Sequence, residues 1–280
     1  MKIHKYPDGS SYVELTKEDT RNKLYTFRVN SYNDLWVIAQ FVDAFNNVYR
    51  KAPTILIPNL IDAQADRRFK HDHSSGLKIV CEFLDKLWAE FKIFHPHNPE
   101  VVEALIDGVE IIDNSQFLVK TLATISSYEY QNNVLDSLIL MSSDAGGFKP
   151  LMRTCDKIGW QGETYSASKS RMYKDEKSTL TQIVDRQDFQ GKDILIVDDL
   201  CVYGGTFKGL SKLLKERNCG KLYLAVSHIT MHKLGMNPVT NYYDWVFTTN
   251  SKFSEYFGMY DCEGGPPVER KPNNLKIFPV

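Results

Sequence analysis

One stretch constrains this chain more than any other: ILIVDDLCVYGGTFKGL, residues 194–210. It opens on four aliphatic residues, a run too short for a buried helix and typical of a strand covered on both faces. The run ends in two acids, Asp198 and Asp199. A loop with Gly204, Gly205 and Thr206 follows, and then Phe207, Leu210, Leu213 and Leu214 recur at helical spacing. A buried strand that feeds a helix through a short loop is the opening of a parallel α/β unit. Ligands of open α/β sheets bind beyond the carboxyl ends of such strands. Adjacent glycines let backbone N–H groups close around an anion, and the helix N-terminus adds its dipole. Thr206 is placed to cap that helix or to give its hydroxyl to a phosphate. Vicinal carboxylates suit the paired hydroxyls of a ribose. A solvated turn with a threonine cap is the plainer explanation of Gly-Gly-Thr alone, but acids at the strand end favour a ribose-phosphate site.

The same alternation runs through the chain. Short apolar runs at 54–57, 92–94, 138–141 and 222–226 read as further buried strands. Residues 36–49 and 77–91 carry apolar side chains three and four apart and read as helices with one buried face. These patterns predict an α/β protein with mostly parallel sheets. The first 30 residues differ: SYVELT and LYTFRV read as short strands edging the first sheet. Residues 165–186 are polar, without clear period, and long for a connector, which predicts a mobile lid or a β-flap. CEGGPPVERKPNN reads as a Gly/Pro-rich loop before a last apolar LKIF.

Composition removes several function classes. The 280 residues hold 34 Lys+Arg against 35 Asp+Glu, so the basic excess of a nucleic-acid binder is missing. No segment approaches the roughly 20 apolar residues that span a bilayer, and MKIHKYPDGS lacks the apolar core of a signal peptide. Five scattered cysteines, an odd number without C-x-x-C, argue against a disulfide framework and point to a reducing cytosol.

The 194–210 stretch resembles the phosphoribosyl-diphosphate motif of the phosphoribosyltransferase fold. Other segments narrow the likeness to the ribose-phosphate diphosphokinases (phosphoribosyl diphosphate synthetases). LILMSSDAGGFK, with Asp144, Gly146 and Gly147, looks like their Pro-Asp-Ala-Gly-Gly signature, with Ser143 in place of proline. Lys169 and Arg171 match their Lys-x-Arg pair on a flexible catalytic loop. IPNLIDAQADRR is similar to their Pro-Tyr-x-x-Tyr-Ala-Arg-Gln-Asp-Arg stretch and keeps Pro58, Ala63, Asp66 and Arg67. FKIFHPH keeps the histidine of their Val-Asp-Leu-His strand as His95. YPDGSSYVEL keeps Asp8 and Gly9, and His228 and Asn250 fall at the family's later pieces.

The resemblance implies two tandem phosphoribosyltransferase-like domains, 1–114 on the nucleotide side and 115–280 with the ribose-phosphate loop and flexible loop. It implies transfer of the β,γ-diphosphate of Mg-ATP to the anomeric hydroxyl of a ribose phosphate, with AMP as the other product, in a homo-oligomer. The implied catalytic groups are Lys169, Arg171 and His95. Asp144, Asp198, Asp199, Val202, Tyr203, Gly204, Gly205 and Thr206 would hold the acceptor. Asp8, Gly9, Ser10, Gln64, Asp66 and Arg67 would hold ATP, and His95 and Asp144 the Mg ion.

Departures from the family pattern carry their own expectations. The ribose-5-phosphate loop usually reads Asp-Asp-x-x-Asp-Thr-x-Gly-Thr; here Val202 replaces an acid and Tyr203 a threonine. Losing a hydroxyl donor and gaining a ring suits a phosphate that is already esterified and brings an adenine to stack. ADP-ribose is therefore the expected acceptor, giving ADP-ribose 1-diphosphate for rebuilding NAD, with free ribose 5-phosphate close behind. Gln64-Ala65 in place of Arg-Gln, Ser10 for Glu and Ile93 for Asp alter the ATP and Mg contacts. The start close to the Asp-Gly segment implies a shortened N-terminal domain without the family's allosteric surfaces. Three competing readings remain: a nucleobase phosphoribosyltransferase, a non-catalytic synthetase-like subunit, and a zinc hydrolase using the pairs His71/His73 and His95/His97.

Overall fold

The computed structural model describes residues 1–17, 23–128, 134–174, 177–230, 238–253 and 274–280. The chain divides into two compact units. Unit 1 takes Met1–Asp113 with Ser251–Phe253 and the last residue, and unit 2 takes Asn114–Asn250 with the C-terminal strand.

Unit 1 begins with a hairpin, β1 (Lys2–Lys5) against β2 (Ser11–Glu14). A parallel four-stranded sheet follows in the order β3 (Tyr25–Thr26), β4 (Thr54–Ile57), β5 (Glu90–Phe94), β6 (Glu110–Ile112). SYVELT thus pairs with the chain start, and only the short Tyr25–Thr26 of the second predicted strand joins the main sheet. Helices α1 (Tyr32–Tyr49), α2 (Gly76–Asp85) and α3 (Pro99–Leu105) make the crossovers. The entry of α1 is set by local chemistry: the Asp34 carboxylate accepts the Ser31 N–H at 2.8 Å and the Asn30 N–H at 3.0 Å, satisfying donors at the helix start. The helix predicted over 77–91 stops early. Lys86 is its C-cap, and Phe91 belongs to β5, where it is buried on the strand's alternation. Ile38, Phe41, Phe45, Ile55, Ile57, Leu77, Leu84 and Ile93 form the core of this unit.

Unit 2 is built on six parallel strands. Chain order gives β7 (Ile139–Ser142), β8 (Thr164–Ser166), β11 (Ile194–Cys201), β12 (Leu222–Ile229), β13 (Trp245–Thr249) and β14 (Leu275–Phe278). Spatial order is β14-β13-β12-β11-β7-β8. Helix α4 (Ser115–Tyr128) and the one-turn α5 (Val134–Ser137) precede the sheet. α6 (Ala145–Ile158) leads β7 to β8 and α7 (Gly205–Glu216) leads β11 to β12. The polar 165–186 segment forms a flap rather than a loop: β9 (Ser168–Lys174) pairs antiparallel with β10 (Lys177–Ile183). Ile194–Val197 is buried in the sheet centre, and Leu195 and Val197 join Leu118, Leu140, Tyr223 and Phe247 in a second core. The Gly/Pro-rich stretch up to residue 273 lies outside the described residues. The α/β class with mostly parallel sheets is borne out, and no helix among the described residues is long and apolar enough to cross a membrane.

Candidate active site

Strand order places the site before any side chain is considered. From β7 the chain turns through α6 to β8 on one side, and from β11 it turns through α7 to β12 on the other. The connections diverge between β7 and β11, which makes their carboxyl ends the switch point of the sheet, where such folds open a crevice. Ser143 and Asp144 leave β7 there, and Asp198 and Asp199 lie towards the end of β11. The Ser143 hydroxyl donates to the Asp198 carboxyl and ties the two strand ends together.

Asp198 also accepts the backbone N–H of Asp199 at 2.8 Å. Burial, and then the adjacent Asp199 carboxyl, push the Asp198 acid well above the usual carboxylate range; the Ser143 hydroxyl and the Asp199 N–H pull it partway back. A carboxyl that resists ionisation inside the protein and sits beside a second acid is one that a bound cation or sugar hydroxyls would favour in its charged form.

Beyond Asp199 the backbone turns at Gly204, which sits at φ 73°, ψ 5° as the N-cap of α7. Only glycine enters this left-handed region without cost. No side chain caps the helix, so Thr206 is not the cap; it lies one residue inside, and Gln182 of the flap donates to its carbonyl at 2.7 Å. An added Cβ at Gly205 would meet nothing within 4 Å, so open space borders the loop where N–H groups of the first turn point outward. Val202 is half-buried and the Tyr203 ring is 64% exposed. Asp144 caps α6, accepting the Gly147 N–H at 3.0 Å through Oδ1. Lys169 and Arg171 lie two residues apart on β9, opposite Gln182 and Leu180 of β10.

The residues expected to hold ATP all lie in unit 1. Asp8, Gly9 and Ser10 form the tip of the β1–β2 hairpin, with Gly9 at φ 89°. The Ser10 hydroxyl and N–H donate to Asp8 at 2.7 and 2.9 Å, holding its carboxyl below the usual range. Asp66 accepts from Asn98 at 2.9 Å and has Arg67 at 3.8 Å; Arg67 lies over the Phe69 ring, and Gln64 is exposed. His95 follows β5 with φ 39°, a strained value for a residue with a side chain and one that marks functional positions. Its N–H bonds the Ile112 carbonyl at 2.8 Å.

Two residues escaped the sequence reading. Ser143 stands where the family has proline, and its hydroxyl reaches Asp198. Lys252, in unit 1, is half-buried. It donates to Asn59 just beyond β4 at 3.1 Å, pairs with no carboxylate among the described residues, and has its pKa lowered by burial. In the sequence Ser143 stands out only as the residue in the proline's place and Lys252 as an ordinary lysine; their partners emerge from the three-dimensional packing.

A family model for the phosphoribosyl transferase domain matches residues 108–261, and the chain belongs to that family. Its curated relatives include proteins named ribose-phosphate pyrophosphokinase. The ribose-phosphate pyrophosphokinase of Pyrococcus furiosus is 23% identical over 253 residues, 90% of this chain and 85% of the relative. That of Porphyromonas gingivalis is 25% identical over 235 residues, 82% of this chain and 71% of the relative. Among solved structures, phosphoribosylpyrophosphate synthetase from Mycobacterium smegmatis shares the fold with a TM-score of 0.70 at 16% identity, over 99% of this chain and 85% of that one. The likeness to ribose-phosphate diphosphokinases drawn from the sequence is borne out. None of these three proteins bears a name that points to ADP-ribose.

Proposed function

We propose that this chain is a ribose-phosphate pyrophosphokinase that moves the β,γ-diphosphate of ATP onto the anomeric hydroxyl of ribose 5-phosphate, releasing AMP, in the cytosol. The observation that carries the reading is the assembly at the switch point: two acids and a glycine-turned helix entry at the end of β11, tied through Ser143 to the end of the adjacent β7, in a chain that aligns with the Pyrococcus furiosus enzyme over nine-tenths of its length.

Asp198 and Asp199 take the ribose 2- and 3-hydroxyls, and the N–H groups after Gly204 take the 5-phosphate. Hydrogen bonds to ionised groups are the strong ones, so this cradle fixes the acceptor with its anomeric oxygen outward. Lys169 supplies a compact cation and Arg171 a fork for two phosphate oxygens, on a flap suited to close over the nucleotide. Charge spread over phosphate oxygens in the transition state is what these cations neutralise, and positioning does the rest. His95 of unit 1, held in its left-handed turn, is the histidine that the likeness to these enzymes assigns to catalysis.

The donor set fits a magnesium ion. Asp144, or the Asp198–Asp199 pair, offers one or two hard oxygen ligands, and the raised acidity threshold of Asp198 is a penalty a divalent cation would relieve. Magnesium bound as its ATP chelate needs only one or two protein carboxylates and supplies charge neutralisation on the phosphates. Zinc fits less well, because no three His, Cys, Asp or Glu gather among the described residues.

One observation favours ADP-ribose as a second acceptor: Tyr203 projects an exposed ring from the loop where a 5′ substituent would lie. Incubation with Mg-ATP and each acceptor in turn, with products identified by mass, decides. Diphosphate on ribose 5-phosphate alone supports the main reading. Gain on ADP-ribose alone transfers it to the second. Gain on neither, with intact ATP, removes both.

A further inference from the structure

Unit 1 carries a cavity of about 460 Å³ that none of the residues assigned to ATP lines. It opens between the N-terminal turns of α1 and α2. Tyr32, Trp36, Ile79 and Phe83 form its apolar walls, and Asp62 and Ser74 supply its polar atoms. The volume is that of a small-molecule site, as is the pattern of aromatic walls with few polar groups. Tyr32, Trp36 and Ile79 are 64%, 55% and 60% exposed, an unusual concentration of bare apolar surface around one carboxylate.

That carboxylate is held in place. Asp62 has φ 59°, in the left-handed region that side chains other than those of Asn and Asp rarely enter. The Tyr32 hydroxyl donates to it at 3.0 Å, which also raises the tyrosine's own pKa. Gly76 opens α2 directly behind: a Cβ there would stand 2.6 Å from Oδ2, so any larger residue would displace the acid. A left-handed backbone, a hydroxyl clamp and a glycine that yields space all fix one carboxylate at the mouth of an aromatic cavity.

We infer that this cavity binds a purine base or nucleoside, at a site separate from the diphosphate-transfer machinery. An ionised carboxylate only accepts hydrogen bonds, so its ligand must present N–H donors. Trp36 and Tyr32 offer flat apolar surface to a ring. Among the described residues no lysine or arginine lines the cavity, and Asp62 repels anions, so the ligand meets it without a phosphate. Amino-bearing purines satisfy these demands. Uridine does not, because the single N–H left on its base is flanked by carbonyls that a carboxylate repels.

The test is calorimetric titration of the whole protein with guanosine, adenosine and uridine, with and without saturating Mg-ATP. At least one purine nucleoside should bind ten times more tightly than uridine, and Mg-ATP should not displace it. Asp62→Asn tolerates the same backbone and keeps the shape while removing the charge; it should weaken the purine at least tenfold, as should Trp36→Leu. The inference fails if no nucleoside binds at millimolar concentration, if uridine binds equally, or if Asp62→Asn changes nothing. Displacement by Mg-ATP would also overturn it, by making the cavity part of the nucleotide site. Loss of an oligomer in Trp36→Leu without any nucleoside binding would overturn it too, by making the face a subunit contact. The diphosphate-transfer reading survives every one of these failures, since it rests on unit 2 and on the alignment with the relatives.

Discussion

Two neighbouring glycines separate the demands of the fold from those of the ligand. Gly204 occupies a left-handed backbone at φ 73°, whereas Gly205, the first residue of α7, lies outside that region with open space where a Cβ would project. Gly204→Ala forces a side chain into a left-handed conformation that costs about 1–2 kcal/mol. At a melting slope of roughly 2–4 °C per kcal/mol for a domain of this size, Tm should fall by about 2–8 °C. Gly205→Ala meets no strain and enters a helix, where alanine is favoured over glycine by up to about 1 kcal/mol, so Tm should hold or rise. Its methyl group, however, enters the open space beside the loop, which the proposed function gives to the acceptor's phosphate. Losing one hydrogen bond to a charged group is worth about 1.5–3 kcal/mol, which is roughly a ten- to hundredfold rise in acceptor KM. Thermal melts and initial rates against ribose 5-phosphate measure both. A Gly205→Ala protein with unchanged KM, or one that melts as early as Gly204→Ala, would refute the assignment of this loop as a phosphate cradle.

Three further outcomes follow from the same geometry. Burial and Asp199 raise the Asp198 pKa, so the native state keeps a proton that the unfolded chain releases, and stability falls as pH rises from about 4 through the native value; Asp198→Asn should therefore gain Tm over wild type with rising pH, in paired melts, while turnover is lost. Lys252 has its pKa lowered by burial, so the native state gains relative stability as pH climbs towards the lysine range, and the Tm difference between wild type and Lys252→Met should move in favour of wild type from about pH 7 to about pH 10. Lys169→Ala should cut turnover by at least roughly a hundredfold with Tm unchanged, because a cation placed for the transition state contributes little to the fold.

Much of the acceptor half was legible because its signals are local. A saturated apolar run, two acids and paired glycines lie within residues 194–210, and each has a single-stretch physical meaning. The flap was only half legible: a polar segment without period reads as a lid or a ladder alike, and antiparallel pairing of β9 with β10 depends on partners rather than composition. The end of α2 was misjudged because Leu87, Trp88 and Phe91 continue the helical spacing by chance, while Phe91 is buried by strand pairing with Ile55. Thr206 looked like a cap because threonine favours caps, but the left-handed Gly204 starts the helix two residues earlier. The Ser143 bond to Asp198 joins positions 55 apart, and the half-buried Lys252 meets Asn59 across 193 residues; contacts at such separation leave no mark in a local pattern.

The central claim concerns which bond of ATP is broken. With the purified chain, Mg-ATP and ribose 5-phosphate, a phosphorus NMR time course should show AMP and a sugar-linked diphosphate growing in equal amounts. Appearance of ADP with a sugar carrying one new phosphate, or of ADP and orthophosphate alone, would mean that the γ-phosphorus is attacked and would contradict it.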